Sequence, residues 1–373
     1  MSATSASTPD LVGQVASQPA ASEVGPTESF AGDVLGVLNS SMLALMISIG
    51  HRTRLFDTMS GLEPADSATI AAAAGLHERY VREWLGAMAT GRIVDHDRES
   101  GTFHLPPERA AVLTRAAGPD NLASFAQFVS LLGKVEDDVV HSFESGGGVP
   151  YSAYPEFQRL MAEESAAVFD ATLLDVTVRL VEGLPERLTA GIDVADVGCG
   201  SGHALNLLAE AYPRSRCVGF DFSAEGVAVG TAEAASKGLS NVRFEVRDAA
   251  TLTGPSAFDL VTAFDAVHDQ AHPARVLRGI HDLLRPGGTF LCVDIQAASH
   301  VADNLDHPLG PFLYTVSCMH CMTVSLALDG DGLGAAWGEE LALTMLREAG
   351  FTDIEVRHVE GDILNNYYVA KRP

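Results

Sequence analysis

Positive charge is scarce in this sequence: 24 Lys and Arg stand against 49 Asp and Glu over 373 residues, a formal net charge of −25. A chain this acidic repels nucleic acid and anionic membrane surfaces at long range, so neither is expected as a partner. Residues 1–51 hold no Lys or Arg. A secretory leader needs a positive n-region and a mitochondrial presequence needs Arg, so these residues are read as neither. Long apolar runs are missing there too, the stretch from Met42 to Met46 being far short of a membrane span. Cysteine is sparse and odd in number, five in all, which argues for reduced thiols and a cytoplasmic setting. Apolar residues are plentiful at 47%, enough for two folded units in a chain of this length.

The densest information lies between Asp196 and Leu205. An apolar, β-branched run at 192–197 reads as a buried parallel strand, and Leu205, Leu207, Leu208 and Ala211 recur at helical spacing after it. Gly198, Gly200 and Gly202 lie between the two, removing the Cβ atoms that would keep a ligand off the backbone. That is a cofactor loop on a Rossmann-like sheet. A dinucleotide fingerprint counted from Gly198 requires its third glycine at position 203, which is His203. The pattern is instead Asp-x-Gly-x-Gly-x-Gly, with an acid that would repel a pyrophosphate.

Four further strands follow in order. Residues 217–221 end in Asp221, where a carboxylate can accept both hydroxyls of a ribose, with Phe222 next to it. Residues 242–248 alternate and end in Asp248, followed by Ala249. Residues 258–264 precede Asp265 and His268, and residues 289–295 follow a helix that begins near Pro273 and stops at Arg285-Pro-Gly-Gly288. A helix at 341–349 and strands at 351–356 and 367–371 complete a seven-stranded sheet.

Together these motifs resemble class I S-adenosylmethionine (SAM) methyltransferases, over residues ~186–373, roughly half the chain. The resemblance implies an α/β fold with SAM as cofactor. Asp196, Gly198, Gly200 and Gly202 would hold its methionyl and ribose end, and Asp221 the ribose. Asp248 and the Ala249 N–H would read the adenine, and Asp265 would face the reactive side. His268-Asp269 resembles the His-Asp pair of winged-helix O-methyltransferases, whose His is the catalytic base. Gln270, Ala271 and His272 depart from that family, and a polar residue here also lines the methionyl pocket without a base role.

Ahead of this domain, residues 1–28 have no hydrophobic period and are expected to be disordered. Residues 29–118 carry an apolar helix at 31–51, a short helix closed by Gly75, and a helix from Glu78 with Tyr80, Val81, Trp84, Leu85 and Met88 on one face. A small hairpin around 99–101 follows. The order resembles a winged helix. Glu78 and Glu83 flank Arg79 and Arg82, which weighs against phosphate contact and for a homodimerisation module, as in small-molecule O-methyltransferases.

Residues 119–185 read as a helical cap, with helices at 122–132, 139–143, 156–161 and 164–182. The glycines at 146–148 are followed by Tyr151 and Tyr154, as either a mobile lid or a linker with its tyrosines packed beneath. An insert at about 297–338 would cover the acceptor, with Tyr314 and His320 facing it and Met319 and Met322 forming an apolar wall. Cys318, His320 and Cys321 lack a second ligand pair, so no metal is expected. The expected activity is methyl transfer to a small molecule, an apolar hydroxyl or acid. N- or C-methylation, a SAM-binding regulator, and an oxidoreductase with a nucleotide cofactor stand as alternatives.

Overall fold

A computed structural model describes residues 25–373, and the chain divides into two units, up to Leu43 and Ala44–Pro373. Most of the tail expected to be disordered, residues 1–24, lies outside the described residues. Its last four residues do not: after Gly25, Pro26 opens a 27-residue helix, Pro26–Arg52, five residues earlier than the periodicity suggests. Within the first unit Phe30, Leu35, Val37, Leu38 and Met42 of this helix are exposed. Among the described residues it is the one helix long and apolar enough to cross a membrane by length and composition. Counting uninterrupted apolar residues does not register it, because Asn39, Ser40 and Ser41 break the run while its mean hydropathy stays high.

The second unit opens with a helix-turn-helix. Asp66 accepts from the Thr69 N–H at 2.8 Å to start helix Ser67–Ala74, and Gly75, at φ 67°, ends it. Helix Glu78–Thr90 buries Val81, Trp84, Leu85 and Met88. Tyr80, expected on that face, is 79% exposed instead. The buried positions follow i, i+3, i+4, i+7 from Val81, and Tyr80 lies one residue off that stripe. Trp84 crosses Phe56 edge-on with centroids 5.2 Å apart and donates from Nε1 to the Met46 carbonyl at 2.8 Å. Strands β1 (Asp95–Asp97) and β2 (Thr102–His104) form the antiparallel wing.

Short helices Leu122–Phe125, Gln127–Leu132 and Glu136–Ser145 lead to helix Phe157–Thr172. The last corrects the expectation of separate helices at 156–161 and 164–182. Nothing between Met161 and Glu164 breaks the first, and the second stops at Thr172, giving way to a 3₁₀ turn at Thr177–Leu180.

Strands β3 (Asp193–Val197), β4 (Arg216–Asp221), β5 (Val242–Val246), β6 (Phe258–Phe264), β7 (Leu284–Ile295), β8 (Thr352–Arg357) and β9 (Asn365–Lys371) form one sheet in the order β5-β4-β3-β6-β7-β9-β8. All pairings are parallel except those of β9. Helix His203–Ala211 packs Leu205 and Leu208 against Val194, Leu260 and Leu291 on one face. Helix Pro273–Leu283 packs Val276, Leu277 and Ile280 with Val261, Phe290 and Tyr368 on the other. Strands buried on both faces have to be apolar throughout, which is why β3, β6 and β7 read as continuous hydrophobic runs. Strand order reverses between β3 and β6, opening a crevice beyond their carboxyl ends.

Candidate active site

The crevice is a cavity of about 720 Å³, walled by the carboxyl edge of the sheet, helix Phe157–Thr172 and the insert after β7. The loop leaving β3 sets its floor. Gly198 and Cys199 donate their N–H groups to the Phe220 carbonyl at 2.8 and 3.1 Å. The next turn gives Gly200 a φ of 53°, with its N–H on Asp221 Oδ2 at 2.8 Å. A Cβ on Gly200 would point into open space, so the bare backbone there is a cradle for a ligand. Gly202, also expected to hold the cofactor, has a different task. It does not line the cavity, and a Cβ there would come 2.3 Å from the Phe244 ring.

Four aspartates line the same cavity as this cradle. Asp196 is buried, accepts from Thr262 Oγ1 at 2.7 Å, and burial pushes its pKa up to about 7 despite that bond. Burial likewise raises Asp221, whose other oxygen accepts from the Ser223 N–H at 2.8 Å. Asp265 takes a left-handed φ of 49°, unusual for a non-glycine. Its Oδ1 finds no hydrogen-bond partner among the described residues, and burial raises it to about 7. Asp269 rises to about 6, again chiefly through burial. Desolvated acids with so few partners fit a cationic ligand. Ala249 and Phe222 line the wall. Asp248 does not: its carboxylate caps a 3₁₀ turn by accepting from the Ala250 N–H at 2.8 Å.

His268 is buried at the cavity wall, with Nδ1 2.7 Å from Asp294 Oδ1. The same oxygen receives Trp337 Nε1 at 3.1 Å and the Ile295 N–H at 2.8 Å. Burial opposes a charge on the ring, but Asp294 and the neighbouring Cys321 prevail and hold its pKa well above the usual range. The orienting carboxylate is therefore Asp294 at the end of β7, not the adjacent Asp269. Its only sequence signal is an acid closing an apolar strand run, Leu291-Cys292-Val293.

The remaining wall is aromatic. Phe125, Phe128, Phe157, Phe312 and Tyr151 line it, with Phe128 and Phe312 edge-to-face at 5.4 Å and Tyr151 edge-on to Phe222 at 5.2 Å. Tyr154 and Tyr314 do not line it. Tyr154 is buried and donates its hydroxyl to the Met319 carbonyl, bracing the insert, while the Tyr314 hydroxyl accepts from Asn304 Nδ2 at 3.1 Å. The glycine stretch is packed at Gly148, where a Cβ would come 2.0 Å from the Thr323 carbonyl. Tyr151 thus faces the cavity, while Tyr154 is packed beneath the insert.

His320 sits on a single π-helical turn, Ser317–Cys321, a distortion frequent at functional sites. Its ring stacks on Phe157 with centroids 3.5 Å apart and planes at 13°. Neither ring nitrogen has a hydrogen-bond partner among the described residues, and burial, with His268 nearby, lowers its pKa to about 3. A neutral imidazole left in this way costs on the order of 1–3 kcal/mol for each unpaired group. Glu164, which no motif or spacing singles out, also lines the wall with Oε1 unpartnered among the described residues, and burial raises it to about 7. Among the described residues no group of His, Cys, Asp and Glu could hold a metal ion.

Comparison with known proteins places this geometry. Residues 41–115 match a model of the Rv2258c-like winged HTH domain, and residues 188–350 match a model of a methyltransferase domain. The chain is 35% identical over 105 residues to the uncharacterized methyltransferase YcgJ of Bacillus subtilis, covering 28% of this chain and 41% of that protein. It is 35% identical over 138 residues to trans-aconitate 2-methyltransferase of Deinococcus radiodurans, covering 35% and 50%. The chain thus spans about half the length of these curated relatives. Among solved structures, the mitomycin 7-O-methyltransferase MmcR superposes with a TM-score of 0.69 at 17% identity, covering 93% of this chain and 100% of that one. Human N-acetylserotonin methyltransferase in complex with SAM gives 0.67 at 16% identity, covering 95% and 99%. At these identities the likeness is one of fold.

Proposed function

We propose that this chain, which joins a winged helix-turn-helix domain to a class I SAM-dependent methyltransferase domain, methylates an oxygen of a small, largely apolar acceptor. The observation that carries the reading is the set of four desolvated carboxyls, Asp196, Asp221, Asp265 and Asp269, that line one cavity with the open backbone of Gly200. SAM brings a sulfonium and an ammonium into such a cavity, and the cradle and the unpartnered Asp265 oxygen both fit it. Asp221, reached from the Gly200 turn, is placed to take ribose hydroxyls, while Ala249 and Phe222 flank the base side.

When bound, SAM supplies a methyl carbon whose bond to sulfur breaks, the electron pair returning to sulfur, as a bond to the acceptor oxygen forms. The chain's own contribution is alignment and a proton acceptor. Asp294 fixes Nδ1 of His268, so Nε2 is the nitrogen left for the acceptor hydroxyl. The ring must first be neutral, and a cation bound in the same crevice favours that state. The aromatic wall excludes water from the reacting atoms.

The N-terminal helix serves a homodimer contact in this reading, its exposed Phe30, Leu35, Val37, Leu38 and Met42 supplying the apolar surface. Sedimentation of the full chain without detergent should give a dimer; a detergent requirement would point to the membrane instead. DNA binding is disfavoured because Arg79 pairs with Glu83 at 2.5 Å and Arg82 with Glu78 at 3.3 Å. Five free cysteines suit the cytoplasm.

Calorimetry with SAM, S-adenosylhomocysteine and NAD tests the donor assignment, and labelled SAM with cell extract tests the transfer. Binding of NAD without S-adenosylhomocysteine, or no labelled product of low mass, would remove the proposal.

A further inference from the structure

Two groups of the cavity wall have no task in holding the methyl donor or moving the proton. His320 is fully buried on the π-helical turn with both nitrogens unpartnered among the described residues, and Glu164 presents an unpartnered Oε1 from helix Phe157–Thr172. They come from different elements, the insert and the cap, yet both line the cavity. We propose that His320 and Glu164 are the recognition pair for the acceptor, and that the acceptor is an uncharged aromatic alcohol with a second hydrogen-bond donor, away from the oxygen that is methylated.

The chemistry of the two groups sets the class. A neutral imidazole offers one donor and one acceptor, and a carboxyl offers acceptor oxygens, so a ligand satisfying both must bring at least one N–H or O–H. A site whose buried polar groups are paired only by the right ligand rejects analogues lacking that group far more strongly than an apolar pocket rejects a methylene. The ring-lined slot formed by Phe157, Phe125, Phe128 and Phe312 sets the shape, accepting a flat π-system in stacked or edge-on contact. Charge sets the sign. Asp265, Asp269 and Glu164 face the cavity, while His268 is engaged by Asp294 and Arg159 by Glu156 and Glu163. The remaining lining arginine, Arg247, lies over the Phe220 ring and donates to the Thr253 carbonyl, beside the end of β4 and away from the insert that carries His320. An acceptor carboxylate held by His320 and Glu164 would therefore meet like charge.

This inference rests on the methyltransferase reading above, and its test keeps the two apart. The full chain, loaded with S-adenosylhomocysteine, is titrated by calorimetry with three probes that differ in one substituent: 2,7-dihydroxynaphthalene, 7-methoxy-2-naphthol and 7-hydroxy-2-naphthoate. The dihydroxy probe should bind at least tenfold tighter than the methoxy probe, with the naphthoate weakest. His320→Phe, which keeps the stack on Phe157, should cut the tenfold preference to threefold or less at unchanged affinity for S-adenosylhomocysteine. Glu164→Gln, an isosteric change, should narrow the disadvantage of the naphthoate at least fivefold, and it stands as the independent test should His320→Phe not fold. Equal binding of the probes, binding of none, preference for the naphthoate, or a preference untouched by folded variants would each overturn the proposal. Failure of wild-type protein to bind S-adenosylhomocysteine would instead remove the reading on which it rests.

Discussion

His268 and Gly202 show how a residue can stand out in the sequence while the group it works against stays hidden. The sequence places His268 beside the cofactor and offers Asp269 as its companion, because only neighbours in sequence are visible there. In space the companion is Asp294, delivered by a strand 26 residues later. A proton acceptor whose pKa is held above the usual range is protonated near neutrality, so turnover should climb as pH rises past 7, not fall. Asp294→Asn removes the carboxylate that holds the ring charged, and should shift this limb to lower pH while lowering kcat through lost orientation. His268→Ala should lower kcat by about 10²–10⁴ with SAM affinity within twofold; loss of SAM binding in that variant would make the residue a pocket wall. Gly202 is the converse case, since the motif suggests a ligand contact and the structure shows φ of 72° with the Phe244 ring 2.3 Å from any Cβ. Gly202→Ala should therefore destabilise the fold by roughly 2–4 kcal/mol in urea unfolding, from left-handed strain plus the clash.

At the level of elements, the doubly wound half was legible because each strand ends in a chemically marked turn: Asp196 before the glycines, Asp221, and Asp265 with His268. Strands fully buried in a parallel sheet leave a continuous apolar run, and that signal is strong. The cap was legible only in outline. Its helices bury small, mixed faces, and the end of helix Phe157–Thr172 carries no Gly or Pro to announce it. Nor could periodicity show what ties this helix to the sheet. His203, at the start of the helix after the glycine loop, reaches Glu233 from Nδ1 and Asp170 from Nε2, both at 2.9 Å. Asp170 is well exposed, so the tie is worth about 1 kcal/mol or less to global stability. Its effect should be local. His203→Phe is expected to speed amide exchange across residues 157–172 severalfold while leaving β3 and β6 protected. Equal exchange of these amides in the wild type and in His203→Phe would mean the cap is held by its apolar contacts alone. The tyrosines divide along the same line, since sequence offered Tyr151 and Tyr154 as equals and packing against the insert separated them.

For the whole molecule, the scarcity of positive charge becomes a statement about pH. Asp196, Asp265 and Glu164 are raised to about 7 and Asp269 to about 6, each chiefly by burial. A carboxyl whose folded pKa exceeds its unfolded value near 4 contributes stability in full below that value and loses it as pH rises through the folded pKa. His51 and His320 act in the opposite sense: burial favours their neutral form, so they add to stability only above their unfolded pKa near 6.5. Across pH 6.5 to 8 the raised carboxyls outweigh what is left of the titration of these two in the unfolded chain, and His268, also raised, acts in the same direction as the carboxyls. The unliganded chain should lose on the order of 1 kcal/mol for each of Asp196, Asp265 and Glu164 across that window, and much less for Asp269, seen as a falling Tm. The bound sulfonium favours the ionised carboxyls, so SAM affinity should move the other way. S-adenosylhomocysteine carries the same ammonium without the sulfonium and cancels the ligand's own titration. The ratio of SAM to S-adenosylhomocysteine affinity is therefore expected to grow roughly threefold to tenfold from pH 6.5 to 8. A constant ratio alongside a falling Tm would mean the acids are buried as supposed but do not see the sulfonium. A flat Tm would mean they are hydrated and ionised throughout, and the cationic fit on which the cofactor assignment stands would be lost.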